Sequence, residues 1–171
     1  LMEMAQEGFH NETQDDPIRF SIRELFQSLR RTLEPAAESS DTGLRFVLPE
    51  YEQWVGDPGS LGRILRNLIT NALRAAEGGE VVVSARPAER RGMLFAVEDD
   101  GPGIPDGKRD QLFEPFRSSS SREDRYFSSS GLGLYIAHRL VSALGSDLHY
   151  ETEAGEGTRF FFRLDFPRAD R

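Results

Sequence analysis

The sequence predicts an α+β fold in which one sheet carries helices on one of its faces. Apolar residues recur at helical spacing in three segments, 20–37, 57–76 and 131–145. Short segments typical of strands cluster later in the chain, mainly in 80–99 and 146–166. Three helices and about five strands in this arrangement indicate a single sheet with the helices on one of its faces.

Capping residues mark the ends of the predicted helices. Ser21 is predicted to cap the first helix, and Glu24 three residues later completes a capping box. Asp57 is predicted to cap the second helix, with Pro58 at its first position. Gly145 closes the last helix, because glycine readily adopts the left-handed conformation found there. The apolar stripe of the first helix consists of Leu25, Phe26, Leu29 and Leu33.

The strands and the domain organisation follow from alternation and from turn residues. Strands are predicted at 43–49, within 51–56, at 80–86, at 92–99, and in a closing hairpin that turns at 154–157. The serine-rich segment 117–130 has no periodicity and is predicted to be a mobile loop. Residues 1–16 are predicted to be the end of an upstream helix and a linker, and residues 17–171 one domain.

Composition restricts the possible functions. The chain has 171 residues, a net charge of −8 and no cysteine. No apolar run is long enough to cross a bilayer, and the lack of cysteine excludes a disulfide framework and thiolate chemistry. We therefore expect a cytoplasmic domain in a reducing compartment that does not bind nucleic acid. A polyanionic ligand would have to be held by backbone amides, helix ends, a metal ion or a few arginines.

The second helix carries a polar stripe. On a helical projection Arg63, Asn67, Asn71 and Arg74 lie opposite a broad apolar face. Asparagine is a poor residue inside a helix because its amide competes with the backbone for hydrogen bonds. The helix alone favours a solvated surface, and the alternative is the wall of a cleft. In a cleft, the amide oxygen of Asn71 would bind a cation such as Mg²⁺ and the arginines would contact phosphate.

Three glycine pairs follow this helix: Gly101 and Gly103, Gly131 and Gly133, Gly155 and Gly157. Glycine lets the backbone approach a ligand closely, but one pair alone is weak evidence because turns also need glycine. The last pair is interpreted as a hairpin turn. The middle pair matches neither a dinucleotide fingerprint nor a P-loop, but it lies at a helix N-terminus, where N–H groups and the helix dipole favour phosphate.

The acidic cluster 98–100 precedes the first glycine pair. Strand alternation places Asp99 on the same face as Phe95 and Val97, where a carboxylate is costly unless it is hydrogen-bonded. An exocyclic amino group, such as that of adenine, suits an acceptor-only carboxylate. Asp100 lies in the turn and is expected to be solvated. Composition alone also allows a metal site formed by all three carboxylates.

These segments together resemble the catalytic ATP-binding domain of bacterial sensor histidine kinases, in the superfamily of gyrase, mismatch-repair ATPases and heat-shock chaperones. The matching motifs are an asparagine box, a first glycine box, a phenylalanine box, a second glycine box and a closing motif, at 61–73, 97–105, 112–116, 130–141 and 155–162. The resemblance covers about residues 17–166. It implies a two-layer sandwich: a mixed, mostly antiparallel sheet of about five strands, covered on one face by three helices.

The resemblance implies ATP and Mg²⁺ as ligands and gives roles to individual residues. Asp99 would bind the adenine amino group, Asn71 would coordinate Mg²⁺, and Asn67 would lie beside it. Asn67, Asn71 and Arg74 would be the catalytic residues. The other nucleotide-binding residues would be Gly101, Gly103, Ile104, Phe116, Arg117, Ser130, Gly131, Leu132, Gly133, Leu134 and Thr158.

The chain departs from the family pattern in places. Hydrolysing relatives carry a glutamate where this chain has Asn67, so the resemblance implies phosphoryl transfer to a side chain rather than hydrolysis. Ala75 replaces a tyrosine that contacts the nucleotide in many members, and Ser129 stands near the place of a glycine. The lid over the nucleotide would span 114–130, with Phe113 at its base.

None of the histidines fits a phosphoacceptor, since His10 lies in the linker, His138 in the last helix and His149 in a strand. The acceptor is expected upstream, on a dimerisation domain. The expected partners are that domain and the receiver domain of a response regulator. The isolated domain would be a monomer and the parent a homodimer, with or without an inner-membrane anchor. Two alternatives stay open: a degenerate module that only binds nucleotide or a partner, and a serine kinase of the anti-sigma-factor type.

Overall fold

The computed structural model describes residues 16–89, 91–115 and 132–169. Within these residues there are seven strands and four helices. None of the helices in this part of the chain is long and apolar enough to cross a membrane. In chain order the elements are β1 Ile18–Ser21, α1 Ile22–Ser39, β2 Gly43–Val47, β3 Gln53–Gly56, α2 Pro58–Ala75, β4 Glu80–Pro87, β5 Met93–Asp99, α3 Asp106–Arg109, α4 Gly133–Ala143, β6 His149–Glu153 and β7 Gly157–Leu164.

Five strands form the main sheet, in the order β2-β4-β5-β7-β6. β2 runs parallel to β4, and the other neighbouring pairs are antiparallel. The predicted mixed, mostly antiparallel sheet of about five strands is therefore confirmed. The expected upstream helix and nearly all of the linker lie outside the described residues, so the boundary at residue 17 stays a prediction.

The expectation that all strands belong to a single sheet was wrong. β1 was not predicted, and it pairs with β3 in a separate two-stranded sheet, with Phe20 opposite Trp54. Arg168 adds an isolated bridge to Trp54. The prediction failed because β1 has only four residues and its last residue, Ser21, also caps α1. So short a strand has no periodicity of its own to separate it from the helix that follows.

The hydrophobic core lies between the main sheet and the helices. α1 and α2 pack against the sheet, and α4 packs against α2. Helix α2 therefore has neighbours on two sides. On α1, three members of the predicted stripe are buried and Leu25 is partly buried. The inward residues of the central strands are Val81, Val83, Ala85, Met93, Phe95, Val97, Phe160, Phe162 and Leu164.

Both predicted N-caps are confirmed. The hydroxyl of Ser21 accepts a hydrogen bond from the amide of Glu24 at 3.2 Å. The carboxylate of Asp57 accepts one from the amide of Ser60 at 2.9 Å. Gly145 follows α4 with a φ of +77°, which is the left-handed conformation expected of it. Local sequence therefore determines where these helices begin and end.

A salt bridge joins the start of α1 to the segment before β3. The Nε of Arg23 donates to both carboxylate oxygens of Glu52 at 2.9 Å. The amide of Ile22 donates to the carbonyl oxygen of Glu52 at 3.0 Å. The hydrogen bond from Arg23 lowers the pKa of the Glu52 carboxyl below its ordinary value of 4.5. This pair ties the small sheet to the first helix.

Candidate functional site

Asp99 is the last residue of β5, and its side chain is buried on the inward face of the sheet. It follows the buried Phe95 and Val97 on that face, as strand alternation predicted. One carboxylate oxygen accepts a hydrogen bond from the amide of Gly101 at 2.9 Å. The carboxylate is therefore held in place by the loop that follows it.

The three neighbouring acids point in different directions. Glu98 lies on the opposite face of the sheet, 3.4 Å from the Nε of Arg159. Asp100 is exposed, but it accepts a hydrogen bond from the amide of Glu80 at 2.9 Å. The expectation that Asp100 is solvated is confirmed, and the hydrogen bond in addition joins the loop to the start of β4. Among the described residues, no group of three acidic, histidine or cysteine side chains could hold a metal ion, so the three carboxylates form no such site.

Gly101 and Gly103 allow close contacts that a side chain would prevent. A Cβ at Gly101 would lie 2.7 Å from the carbonyl oxygen of Ala75, at the end of α2. Gly103 has a φ of +78°, and a Cβ there would overlap the carbonyl group of Glu153 at the end of β6. The loop after β5 is thus packed between the end of α2 and the β6–β7 hairpin.

The β6–β7 hairpin is more than a turn. Gly157 has a φ of +114°, and a Cβ there would overlap the carbonyl oxygen of Asp99. The amide of Gly155 donates to the carbonyl oxygen of Pro102 at 2.9 Å. The interpretation of this glycine pair as a hairpin turn alone was incomplete, because the hairpin also supports the loop that carries Asp99.

A row of polar side chains crosses three strands beside Asp99. Thr158 of β7 is the register partner of Asp99 on one side and of Thr152 on the other. The two threonine hydroxyls are 2.9 Å apart, and Thr158 is buried. The hydroxyl of Thr152 also accepts a hydrogen bond from the amide of Ile104 at 2.8 Å. Sequence reasoning named Thr158 and Ile104 but missed Thr152, for which the only signal was a small polar residue between two glutamates in an edge strand.

Asn71 is buried in α2, with 1% of its surface exposed. Neither its amide nitrogen nor its amide oxygen has a hydrogen-bond partner among the described residues. The solvated-surface interpretation of this stripe is therefore wrong for Asn71. It failed because α2 lies between the sheet and α4, so more of its circumference is buried than a single apolar face accounts for.

The rest of the polar stripe on α2 is less buried. Asn67 is half-buried, and its Nδ2 donates to the carbonyl oxygen of Arg63 at 2.9 Å. Arg74 is half-buried in the last turn of the helix. Asn71 thus lies one turn before Ala75, the residue whose carbonyl group contacts the loop at Gly101.

The start of α4 carries the described part of the second glycine box. Leu132 is at the N-cap, Gly133 is the first helical residue, and no side chain among the described residues caps this end. Leu134 is buried. Phe113 stacks on His138 of α4 with ring centroids 4.6 Å apart, which gives that histidine a packing role. The predicted residues Phe116, Arg117, Ser130 and Gly131, and most of the expected lid, lie outside the described residues.

Residues 56–168 match the family model described as "Histidine kinase-, DNA gyrase B-, and HSP90-like ATPase". The chain belongs to this family. The match includes α2, the loop after β5, α4 and the closing hairpin, which are the elements that carry the site. The sequence resemblance and the fold expected from it are confirmed.

Relatives and a solved structure narrow the family to histidine kinases. The chain is 36% identical over 160 residues to the sensor histidine kinase AruS of Pseudomonas aeruginosa. This alignment covers 90% of this chain and 16% of that protein. It is 31% identical over 151 residues to the sensor histidine kinase RcsC of Escherichia coli, covering 87% and 16%. The structure of full-length ShkA in complex with AMPPNP superposes with a TM-score of 0.79 at 27% identity, covering 91% of this chain and 32% of that one.

These comparisons identify a histidine kinase catalytic domain of the ATP-binding type. The chain spans only about one-sixth of the length of the two sensor kinases. The comparisons therefore establish the family and the fold, while the roles of individual site residues stay predictions.

Proposed function

We propose that this domain binds Mg-ATP and donates the γ-phosphate to a histidine on the dimerisation domain of the same sensor kinase. The observation that carries the proposal is Asn71, a buried amide without a hydrogen-bond partner among the described residues. Leaving a buried polar group unsatisfied costs roughly 1–3 kcal/mol. A domain that retains such a group gains from it when a ligand binds, and a carbonyl-type oxygen suits Mg²⁺.

The residues around the loop suit an adenine nucleotide. The carboxylate of Asp99, fixed by the amide of Gly101, would accept a hydrogen bond from the adenine amino group. Gly101 and Gly103 let the loop pack closely against the end of α2 and the β6–β7 hairpin, which would hold Asp99 in position for the base. Arg74, and the backbone at Leu132 to Leu134 at the start of α4, would contact phosphate. Bound Mg²⁺ would neutralise phosphate charge during transfer, and the oxygen of Asn71 would hold it.

The residue at the first asparagine position favours transfer over hydrolysis. Asn67 has an amide that cannot take a proton from water, and its nitrogen already donates to the carbonyl oxygen of Arg63. Phosphoryl transfer needs mainly positioning and charge neutralisation. A chain built in this way would hold ATP until an acceptor side chain arrives.

The wider setting is part of the proposal. The acceptor histidine would lie on a dimerisation domain preceding residue 17, and the phosphate would pass to an aspartate of a response-regulator receiver domain. The parent kinase would be a homodimer, and the isolated domain a monomer. The names of the matching sensor kinases support this arrangement.

Calorimetric titration with Mg-AMPPNP tests nucleotide binding. We expect wild type to bind and Asp99→Asn to bind at least about tenfold more weakly, because a bond to a charged group contributes roughly 1.5–3 kcal/mol. The matched control is Glu98→Gln, the same chemical change on the outer face next to Arg159, which should bind like wild type. Wild type that gives no signal would refute the proposal.

Phosphotransfer needs a second experiment. The chain, mixed with the separately expressed dimerisation domain of its parent and labelled ATP, should label that domain on histidine. Binding of nucleotide without any transfer would favour a degenerate module. That alternative is motivated by Ala75, which stands where many family members have a tyrosine. Labelling of serine would favour a kinase of the anti-sigma-factor type.

A further inference from the structure

We infer that Thr152, a residue of edge strand β6, positions the base-binding end of the site and favours an amino-bearing purine. The inference rests on the proposed function, since it concerns how the same site would choose its base. Thr152 lies outside every sequence motif described above. It is half-buried, and it makes three contacts through one hydroxyl group.

Hydrogen-bonding capacity determines how these three contacts are arranged. A hydroxyl has one proton to donate and two lone pairs that accept. The amide of Ile104 can only donate, so Thr152 accepts from it at 2.8 Å. The carbonyl of Gly157 can only accept, so the proton of Thr152 goes to it at 3.1 Å. The remaining contact, 2.9 Å to Thr158, is then satisfied only if Thr158 donates.

This arrangement determines whether the hydroxyl of Thr158 donates or accepts a hydrogen bond towards a ligand. When all three contacts of Thr152 are hydrogen bonds, the proton of Thr158 is directed towards Thr152, and the oxygen of Thr158 offers only lone pairs to a ligand. Asp99 is its register partner, and the two side chains lie on the same face of the sheet. A carboxylate and an oriented hydroxyl therefore present neighbouring acceptors. Such a pair favours an exocyclic amino group, which adenine has, over a carbonyl group at the same position, as in guanine.

The same hydroxyl fixes the loop. Ile104 is buried, and its amide depends on Thr152. Gly103, the residue before it, is packed against the carbonyl group of Glu153, the residue after Thr152. Loss of the Thr152 hydroxyl would leave a buried amide unpaired and would free the proton of Thr158 to point towards the base.

The test compares adenine and guanine nucleotides on matched variants. Thr152→Val keeps the shape of the side chain and removes the hydroxyl, whereas Thr152→Ser keeps the hydroxyl. Calorimetry with Mg-AMPPNP and with its guanine counterpart gives the preference for adenine. For Thr152→Val we expect the adenine affinity to fall about tenfold and the preference to shrink, since one lost buried hydrogen bond has that magnitude. Thr152→Ser should keep most of the preference.

A structural role alone would give a different result. The control is Thr42→Val, which removes the hydroxyl of a buried threonine that lies 3.2 Å from the carbonyl oxygen of Ser40 and 3.3 Å from that of Ala76. It should lower the melting temperature without changing the ratio of the two affinities. If Thr152→Val fails to fold, Thr152→Ala, which leaves room for a water molecule, is measured in its place with the same expected loss of preference.

The outcomes separate the inference from the proposed function. Wild type that binds no adenine nucleotide would overturn the proposed function and this inference with it. Wild type that binds adenine nucleotides while Thr152→Val and Thr152→Ala keep an unchanged ratio would overturn the inference alone. A reduced ratio in those variants, restored by serine, supports the positioning role.

Discussion

Replacing Asn71 by leucine should make the free domain more stable and weaken its binding of Mg-ATP. Leucine has the same branching as asparagine but no polar atoms. The change therefore removes two buried polar groups that lack partners among the described residues. Because the side chain is 1% exposed, the new methyl groups would be buried as well. Stability and binding should thus change in opposite directions.

The expected gain in the free energy of unfolding is moderate. Each unsatisfied buried group costs roughly 1–3 kcal/mol, and leucine favours a helix over asparagine by about 0.5 kcal/mol. Fitting methyl groups into a space shaped for an amide costs roughly 1–3 kcal/mol. A net gain of about 2 kcal/mol remains, which for a domain of this size raises the melting temperature by roughly 4–8 °C.

Two measurements check this prediction. Thermal unfolding without nucleotide reports the stability. Calorimetric titration with AMPPNP, once with Mg²⁺ and once with EDTA, reports binding and its metal dependence. Wild type should bind more tightly with Mg²⁺, and Asn71→Leu should lose about tenfold or more in affinity, because bonds between an amide and a charged group contribute roughly 1.5–3 kcal/mol. The variant should also lose most of the difference made by Mg²⁺.

Two controls separate burial from function. The hydroxyl of Ser84 is also buried without a partner among the described residues, but it lies in β4, paired with Ala96. Ser84→Ala should therefore raise stability and leave nucleotide binding unchanged. Asn67→Ala should change stability little, since Asn67 is only half-buried. A lower melting temperature for Asn71→Leu would mean that the amide stabilises the free domain, and unchanged binding would remove Asn71 from the site.

Two further predictions concern the β6–β7 hairpin and the salt bridge between Arg23 and Glu52. Gly157→Ala should cost about 2–4 kcal/mol and weaken nucleotide binding, because its φ of +114° is strained for alanine and its Cβ would overlap the carbonyl oxygen of Asp99. Gly155→Ala, with a φ of +82° and no atom within 4 Å of its Cβ, should cost only about 1–2 kcal/mol. Equal losses in thermal melts would contradict the packing argument. Arg23 lowers the pKa of Glu52, so this pair stabilises the fold above pH 4.5 and stops doing so as the pH falls through the lowered pKa. Melting temperatures of wild type and Glu52→Gln should therefore differ at neutral pH and converge in acid, and a constant difference would refute the assignment.

Several features of the site could be predicted because their causes are local. The inward direction of Asp99 follows from alternation along β5, and the caps at Ser21 and Asp57 follow from side chains that bond to amides three residues away. The ordered motifs then identified the family, which the comparison of residues 56–168 confirmed. The direction of Asp99 and the two caps depend only on neighbours within one strand or one turn of helix.

The sequence by itself determined the family, the main sheet with its helices, and the face to which Asp99 belongs. The tertiary structure decided what those residues touch. Asn71 is buried on a helix that packs against α4 as well as the sheet, and the periodicity of neither helix predicts that packing. Thr152 and Gly157 matter because β6 and β7 pack against a loop about fifty residues earlier in the chain. Contacts between residues so far apart in the sequence depend on the packing of the whole fold. No local pattern of residues could therefore have identified them.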